Sequence, residues 1–296
     1  MEIDQPLVSV LMTAFNREKY IGEAIDSVLA SGYTHFELII VDDCSSDKTV
    51  DIARSYESKD TRVRVYQNER NLGDYINRNK AAGYGSGKYF KYLDSDDIIY
   101  PQSLSIFVDG MEKNPDAALG IMSGAVDEEK KFPYLLSPSE AYHYHFYEKG
   151  VFDTGPSALI FRAGSFREIG GFSGKRYVGD SEINLRLAAR WPVVMLPPAL
   201  IYWREHEGQE IRAGSISTGY LELELPMIRE ELNKKECPLS EKEKKDIIGN
   251  LKAISARKIL KLALVQKHPS QAISIYRKLT LKPIDIFKAL FLKKKR

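Results

Sequence analysis

Three aspartates fall within four positions in "LDSDD", Asp94, Asp96 and Asp97, directly after the aromatic run "KYFKY". Like charges this close repel one another, and the apolar residues before them predict a buried backbone, so something positive should lie nearby. Two carboxylates at alternate positions past a strand end can hold a divalent cation through hard oxygen ligands and leave sites open for phosphate oxygens. Asp94 and Asp96 point the same way if the backbone stays extended. A cation there would offset their repulsion and neutralise a diphosphate leaving group, the Lewis-acid role of a catalytic metal. Asp97 has no such pairing and is expected to bond local backbone before the turn at Pro101.

Other groups carry weaker signals. "GYGSGK", Gly83 to Lys88, imitates a phosphate loop, but its glycines stand one residue too close for a Walker loop and Tyr89 replaces the Ser or Thr that would hold magnesium. It is expected to end a helix with left-handed glycines and start a strand. His143 and His145 lack a second ligand pair at zinc spacing and suit an acceptor-side loop better. Cys44 and Cys237 match no metal or redox spacing, which reads as a reduced, cytoplasmic compartment.

The elements that must position the acids follow from periodicity. "PLVSVLMTAF", Pro6 to Phe15, reads as a buried strand, and "REKYIGEAIDSVLAS" as a helix with Tyr20, Ile21, Ala24, Ile25, Val28 and Leu29 on one face. "FELIIVDD" is a second strand, followed by a helix from near Asp47 that Ser45 or Ser46 can cap. "RVRVYQNE", "NLGDYINRNKAAGYG" and "KYFKYLD" continue as strand, helix and strand. Alternation of this kind implies a mostly parallel sheet covered on both faces, with ligands outside the carboxyl ends of its strands. Those ends are "TAFNR", "VDDCSSD" and "LDSDD"; Asp47 reads as a helix cap, whereas Asp42 and Asp43 suit capping and ligand binding equally.

Beyond Pro101 the pattern gives a helix, the strand "AALGIMSGAV", and an aperiodic stretch from Val126 to Gly150 that reads as a long loop. A strand and short helix in "GPSALIFRAGSFREIGGF", the helix "YVGDSEINLRLAARW" and the strand "PVVMLPPALIYWREH" follow. From Tyr220 the composition turns to Glu, Lys, Leu and Ile, and helices are expected over 220–233, 240–267 and 270–279, with a last segment opened by Pro283. Residues 1–219 thus read as one α/β domain, with a nucleotide-binding half over 1–97 and an acceptor half over 98–219, and 220–296 as a helical extension.

The 296 residues are 43% hydrophobic and 28% charged with a net charge of +2, an ordinary globular composition with no pointer to a nucleic-acid partner. No run approaches the roughly 18 apolar residues of a spanning helix. The segment 283–296, Pro283 followed by "IDIFKALFLKKKR", suits peripheral contact with the cytoplasmic face of a membrane as well as it suits packing on the domain.

Taken in series, "VSVLMTAFNREKYIGEAIDSVL", "ELIIVDDCSSDKT", "NLGDYINRNKAA", "GKYFKYLDSDD", "GGF" and "GDSEINLRLA" resemble the inverting family 2 glycosyltransferases of the GT-A fold, over about the first 215 residues. The resemblance implies a nucleoside diphosphate sugar donor, UDP-sugar foremost, and Mn2+ or Mg2+ as cofactor. The acceptor would be a glycan or lipid-linked saccharide in surface polysaccharide synthesis. It puts Thr13, Ala14, Phe15, Arg17 and Asp43 on the nucleotide, with Asn71, Gly73 and Arg78 completing the pocket. Asp94, Ser95 and Asp96 belong to the donor-binding motif, with Asp94 and Asp96 as metal ligands. Chemistry agrees: Asp43 can accept from a pyrimidine N–H, Phe15 can stack on a base, and Arg78 is a fixed cation.

Asp180 matches the family's catalytic base, the carboxylate that takes the acceptor hydroxyl's proton. The family's common Glu-Asp pair is here Gly179-Asp180, which leaves the tuning of that base open; capping a helix is its other reading, and Glu182 is the fallback base. "YWREHEGQ" resembles the late segment that brings an Arg or His to the diphosphate or metal, hence Arg204 as a phosphate contact and His206 as a third metal ligand. Two other functions fit these residues less well. A sugar nucleotidyltransferase needs a lysine- and glycine-rich triphosphate loop near the first strand, absent from "TAFNREKY"; a catalytically silent nucleotide-sugar binding module would need Asp43 and Asp96 but no base.

Overall fold

The computed structural model describes residues 5–124, 130–206 and 218–291. The chain divides into two compact units, Met1–Glu205 and His206–Arg296. In the first, the described strands form a sheet in the order β3-β2-β1-β4-β8-β6-β9-β7, built from β1 Val8–Ala14, β2 Phe36–Asp42, β3 Val63–Gln67, β4 Tyr89–Tyr92, β6 Leu119–Met122, β7 Tyr134–Leu136, β8 Leu159–Arg162 and β9 Val193–Leu196. β1, β2, β3 and β4 run parallel, whereas β8 is antiparallel to both β4 and β6. The order reverses between β1 and β4, and the crevice at such a reversal is where an open α/β sheet binds ligands. A short antiparallel pair, β5 Ile98–Ile99 with β10 Ile201–Tyr202, lies just past the acidic turn.

Every residue of β2 is buried, as expected of a strand covered on both faces. Helix α1, Ile21–Leu29, turns Ile21, Ala24, Ile25 and Val28 into a core shared with Val10, Met12, Leu38 and Ile40. α2 spans Thr49–Glu57, α3 Asp74–Tyr84, α4 Ser103–Glu112, α6 Ala163–Glu168 and α7 Gly179–Ala188.

Three expectations need correction. α2 is entered without a Ser45 or Ser46 cap: Ser45 donates to Asp42, and Asp47 accepts from the Thr49 N–H at 3.0 Å instead. "GYGSGK" contains no left-handed glycine. Gly87 is small because the chain passes edge-on against β1, where a Cβ would stand 2.6 Å from the Ser9 nitrogen and 2.7 Å from the Leu7 carbonyl. Nor is 126–150 a plain loop: after residues 125–129, which lie outside the described part, it holds β7, α5 Pro138–His143 and a π-helical turn Tyr144–Lys149. Ser137 and Glu140 form a reciprocal capping box on α5, a spacing legible in "SPSE".

The second unit is helical, with α8 Gly219–Leu232, α9 Glu241–Leu264, α10 Pro269–Lys278 and α11 Pro283–Phe291. Leu225, Ala256, Ile259, Leu262, Ala272, Ile275 and Leu279 form its core. No helix among the described residues is long and apolar enough to cross a membrane.

Candidate active site

The ends of β1 and β2 build one wall of the crevice. Thr13 and Ala14 close β1, and Phe15 follows, 44% exposed on the rim. Arg17 turns back across the crevice: its backbone N–H donates to Thr49 Oγ1 at 2.7 Å, and its Nε reaches Asp96 Oδ2 at 2.9 Å. The adjacent acids of β2 divide their work. Asp42 accepts from the Ser45 backbone and hydroxyl. Asp43, buried, accepts from Asn68 Nδ2 at 2.7 Å and from the backbone N–H groups of Leu72 at 2.8 Å and Gly73 at 2.9 Å. Gly73 is left-handed at φ +87°, a conformation with little steric cost only for glycine, and Asn71 Oδ1 accepts from the same N–H at 3.1 Å. Asp43 therefore moulds the 71–73 loop at the mouth of the crevice.

The acidic turn is not extended. β4 stops at Tyr92, and the Asp97 N–H donates to the Asp94 carbonyl at 3.0 Å, curling the chain so that a third carboxylate joins the first two. Oxygen atoms of Asp94, Asp96 and Asp97 all lie within 4.8 Å of one another, and Ser95 is buried between them in sequence. Asp97 does bond local backbone, through that N–H, but its carboxylate reaches further and accepts from the distant Arg204 N–H at 3.3 Å. Burial first, then the neighbouring Asp94 charge, hold its carboxyl above the usual range.

The positive charge that the sequence required comes from four directions. Arg17 faces Asp96, and Arg78 Nη2 lies 2.8 Å from Asp94 Oδ1. Arg204 Nε donates to the Asp96 carbonyl at 3.1 Å and its other end pairs with Glu23. Lys91, fully buried in β4, donates to the carbonyls of Tyr92 at 2.7 Å and Ser157 at 2.5 Å, while the Ser157 hydroxyl accepts from the Asp94 N–H at 2.9 Å. Lys91 and Ser157 thus brace the turn from beneath. Burial brings the Lys91 ammonium down to about 7, against the pull of Asp94 and Asp97.

The far wall is the start of α7. Asp180 is the second residue of that helix, inside its first turn rather than at the cap, which Val178 occupies. A carboxylate there faces the positive end of the helix dipole. The residue as a whole is partly exposed but its Oδ1 is shielded, with no hydrogen-bond partner among the described residues. Burial pushes the Asp180 carboxyl up to about 7; Asp74 and Asp94 push the same way, while Arg78 and a hydrogen bond from Tyr75 oppose them. Arg78, buried, has Nε 2.9 Å from Asp74 Oδ1, so one guanidinium serves Asp74, Asp94 and Asp180 together. Gly179 packs under Tyr75: a Cβ there would lie 2.7 Å from the ring, so the position that carries Glu in the resembled family is closed to any side chain unless Tyr75 moves. Glu182 is buried and engaged with Ser173 and, at 3.1 Å, Lys175.

A family profile described as "Glycosyl transferase family 2" matches residues 9–170. The chain belongs to that family. An uncharacterized glycosyltransferase of Methanocaldococcus jannaschii is 42% identical over 120 residues, 40% of this chain and 41% of that protein. The UDP-Glc:alpha-D-GlcNAc-diphosphoundecaprenol beta-1,3-glucosyltransferase WfgD of Escherichia coli is 38% identical over 112 residues, 38% of this chain and 44% of WfgD. The match therefore spans about two fifths of these curated relatives. Among solved structures, S. aureus TarS 1-349 superposes with a TM-score of 0.69 at 20% identity, covering 95% of this chain and 82% of that one; it has also been solved with UDP-GlcNAc. The mannosyltransferase PcManGT from Pyrobaculum calidifontis, in complex with GDP-Man and Mn2+, gives 0.62 at 15% identity, covering 97% and 88%. The fold is GT-A.

Within this family 2 member, Arg17 and Arg78 reach the acids that follow β4, while Asp43 holds the 71–73 loop beside the β1 end. The profile ends before Asp180, so that residue rests on its geometry. His206 opens the second unit; past β4, Asp94, Asp96 and Asp97 come together as one acidic group. His145 is structural: its Nδ1 accepts from the Phe152 N–H at 3.2 Å and its ring stacks on Phe152. Sequence reasoning missed Tyr75, Lys91 and Ser157. Only Lys91 carried a signal, a lysine inside the apolar strand "KYFKYL".

Proposed function

We propose that the chain is an inverting glycosyltransferase that moves a sugar from a nucleoside diphosphate donor to a hydroxyl of a glycan or lipid-linked saccharide. Surface polysaccharide or cell-envelope synthesis is the setting that fits. The observation that carries this reading is the pairing of a three-carboxylate group at the β4 end with a shielded carboxyl, Asp180, linked to it through Arg78. Asp180 at about 7 is poised to accept a proton near neutral pH, the requirement for a general base. Its neighbours Arg78 and Tyr75 keep the carboxylate form accessible.

The hard oxygen donors of Asp94, Asp96 and Asp97 suit Mn2+ or Mg2+, and three acids this close are better accommodated with a cation than without. When bound, the ion supplies charge neutralisation to a diphosphate leaving group. Phe15 offers a stacking face for the base, while the loop that Asp43 moulds through Gly73, with Thr13, Ala14 and Asn71, lines the nucleoside side. Arg17 and Arg204 stand beside Asp96 as cations for the diphosphate. TarS with UDP-GlcNAc and WfgD with UDP-Glc in its name favour a UDP-sugar and, from WfgD, a diphosphate-lipid-linked acceptor.

The test pairs binding with turnover. UDP-, GDP- and dTDP-sugars are screened by thermal shift with and without Mn2+, where a ligand of the folded state raises the melting point. Asp180→Asn is then expected to keep the shift and lose transfer by a factor on the order of 10² to 10⁴. Retained transfer by Asp180→Asn removes the base assignment; the absence of any shift removes the donor assignment.

A further inference from the structure

We propose that α11 docks on an anionic lipid surface, through a face that the fold turns away from its own core. A helix packed on a globular unit ordinarily buries its large apolar residues and exposes its charges. α11 departs from this, with only Ile286 among its large apolar residues packed against the core. Its buried positions are Asp285 and Ala289, at 5% and 2% exposure, whereas Ile284, Phe287, Leu290 and Phe291 are 52–69% exposed. The helix is nonetheless fixed. Arg257 donates from Nε and Nη2 to the Ala289 carbonyl at 3.1 and 2.9 Å, and Asp285 accepts from the Lys282 N–H at 2.7 Å.

Charge decides the occupant. Asp285 is the one acid of α11, and it is turned inward, so the outer face offers apolar groups and the exposed lysines Lys282 and Lys288 with no opposing carboxylate of its own. The sequence that follows, Lys293 to Arg296, is basic throughout. Large apolar side chains flanked by lysines match an interface where acyl chains meet anionic headgroups, the apolar groups supplying depth and the lysines the preference for negative lipid. A protein partner would place acids opposite these lysines, and a second copy of α11 has none to offer. The inference stands apart from the catalytic reading, since no residue of the crevice takes part.

The full chain is sedimented with vesicles of phosphatidylglycerol and phosphatidylcholine, and separately with vesicles of phosphatidylcholine alone. Binding to the first only, weakened by added salt, is the expected result. Phe287→Ser combined with Phe291→Ser is expected to lower that binding about tenfold or more, and Lys288→Glu by several-fold. All three positions are exposed, and unchanged thermal melting of both variants checks that the unit remains folded. No sedimentation, or equal binding to both vesicles, overturns the proposal. A dimer by light scattering that the double substitution disperses overturns it too, because a second copy then covers the face.

Discussion

The two units break the usual rule of inside and outside in opposite directions. In Met1–Glu205 charge is hidden: Arg78, Lys91, Asp96, Asp97 and Glu182 are buried. In His206–Arg296 apolar surface is shown, with Leu264, Val265, Phe287, Leu290 and Phe291 each more than half exposed. Folding alone favours neither choice, because a buried ion forfeits hydration and an exposed phenylalanine gains nothing from the core. On the readings proposed above, each inversion marks where the molecule meets something else. The first would serve a small, highly charged ligand in a crevice, the second a lipid surface.

The sharpest way to break the comparison is to remove the cation that the hidden charges share. Arg78→Met leaves Asp74, Asp94 and Asp180 without it and is expected to cost about 3–5 kcal/mol in urea denaturation. A loss below 1 kcal/mol would mean that the cluster is better solvated than its burial implies.

Next in size is a pH effect. Asp180, raised from 3.8 to about 7, keeps a proton in the folded chain that the unfolded chain has released, so its contribution to stability is complete below 3.8 and is lost as pH rises through about 7. That contribution is up to about 4 kcal/mol, and Asp97 acts in the same direction. Lys91 has the opposite slope: depressed from 10.5 to about 7, it favours the folded chain increasingly as pH climbs through that window. Denaturation in the presence of a chelator should therefore show stability falling from pH 4 toward 7, and Asp180→Asn should flatten that limb.

Gly179→Ala forces a Cβ against the Tyr75 ring and is expected to cost about 1–3 kcal/mol, part of which Tyr75→Ala returns in a double-mutant cycle. The smallest effect belongs to the second unit. Lys258 pairs with Glu224 at 2.8 Å, but both are substantially exposed, so Lys258→Ala is expected to cost less than about 1 kcal/mol and to matter less at high salt. If that surface pair outweighs Gly179, the contrast between the units is not energetic.

Much of this was legible in the chain itself. The alternation of "VSVLMTA", "FELIIVD" and "VRVYQ" with amphipathic helices implies a parallel sheet, because continuous apolar strands must be covered on both faces, whereas the order β3-β2-β1-β4 is seen only in the fold. The acids of "LDSDD" announced a site by their mutual repulsion. The stretch 126–150 was less legible because its aromatic and polar residues follow no single period, although the capping spacing of Ser137 and Glu140 was there to be read.

What the sequence determined by itself is the sheet that carries the site and the need for positive charge beside its acids, since periodicity and charge density are local properties. What only the tertiary structure decided is which cations answer and how the acids share their duties. Arg78 reaches Asp94 from 16 positions away and Ser157 reaches it from 63, while the turn at Asp97 converts a pair of carboxylates into a group of three. Asp180 and Tyr75 meet across a hundred residues, and a carboxyl acquires its proton affinity from such neighbours and from the loss of water around it. No local pattern contains that information.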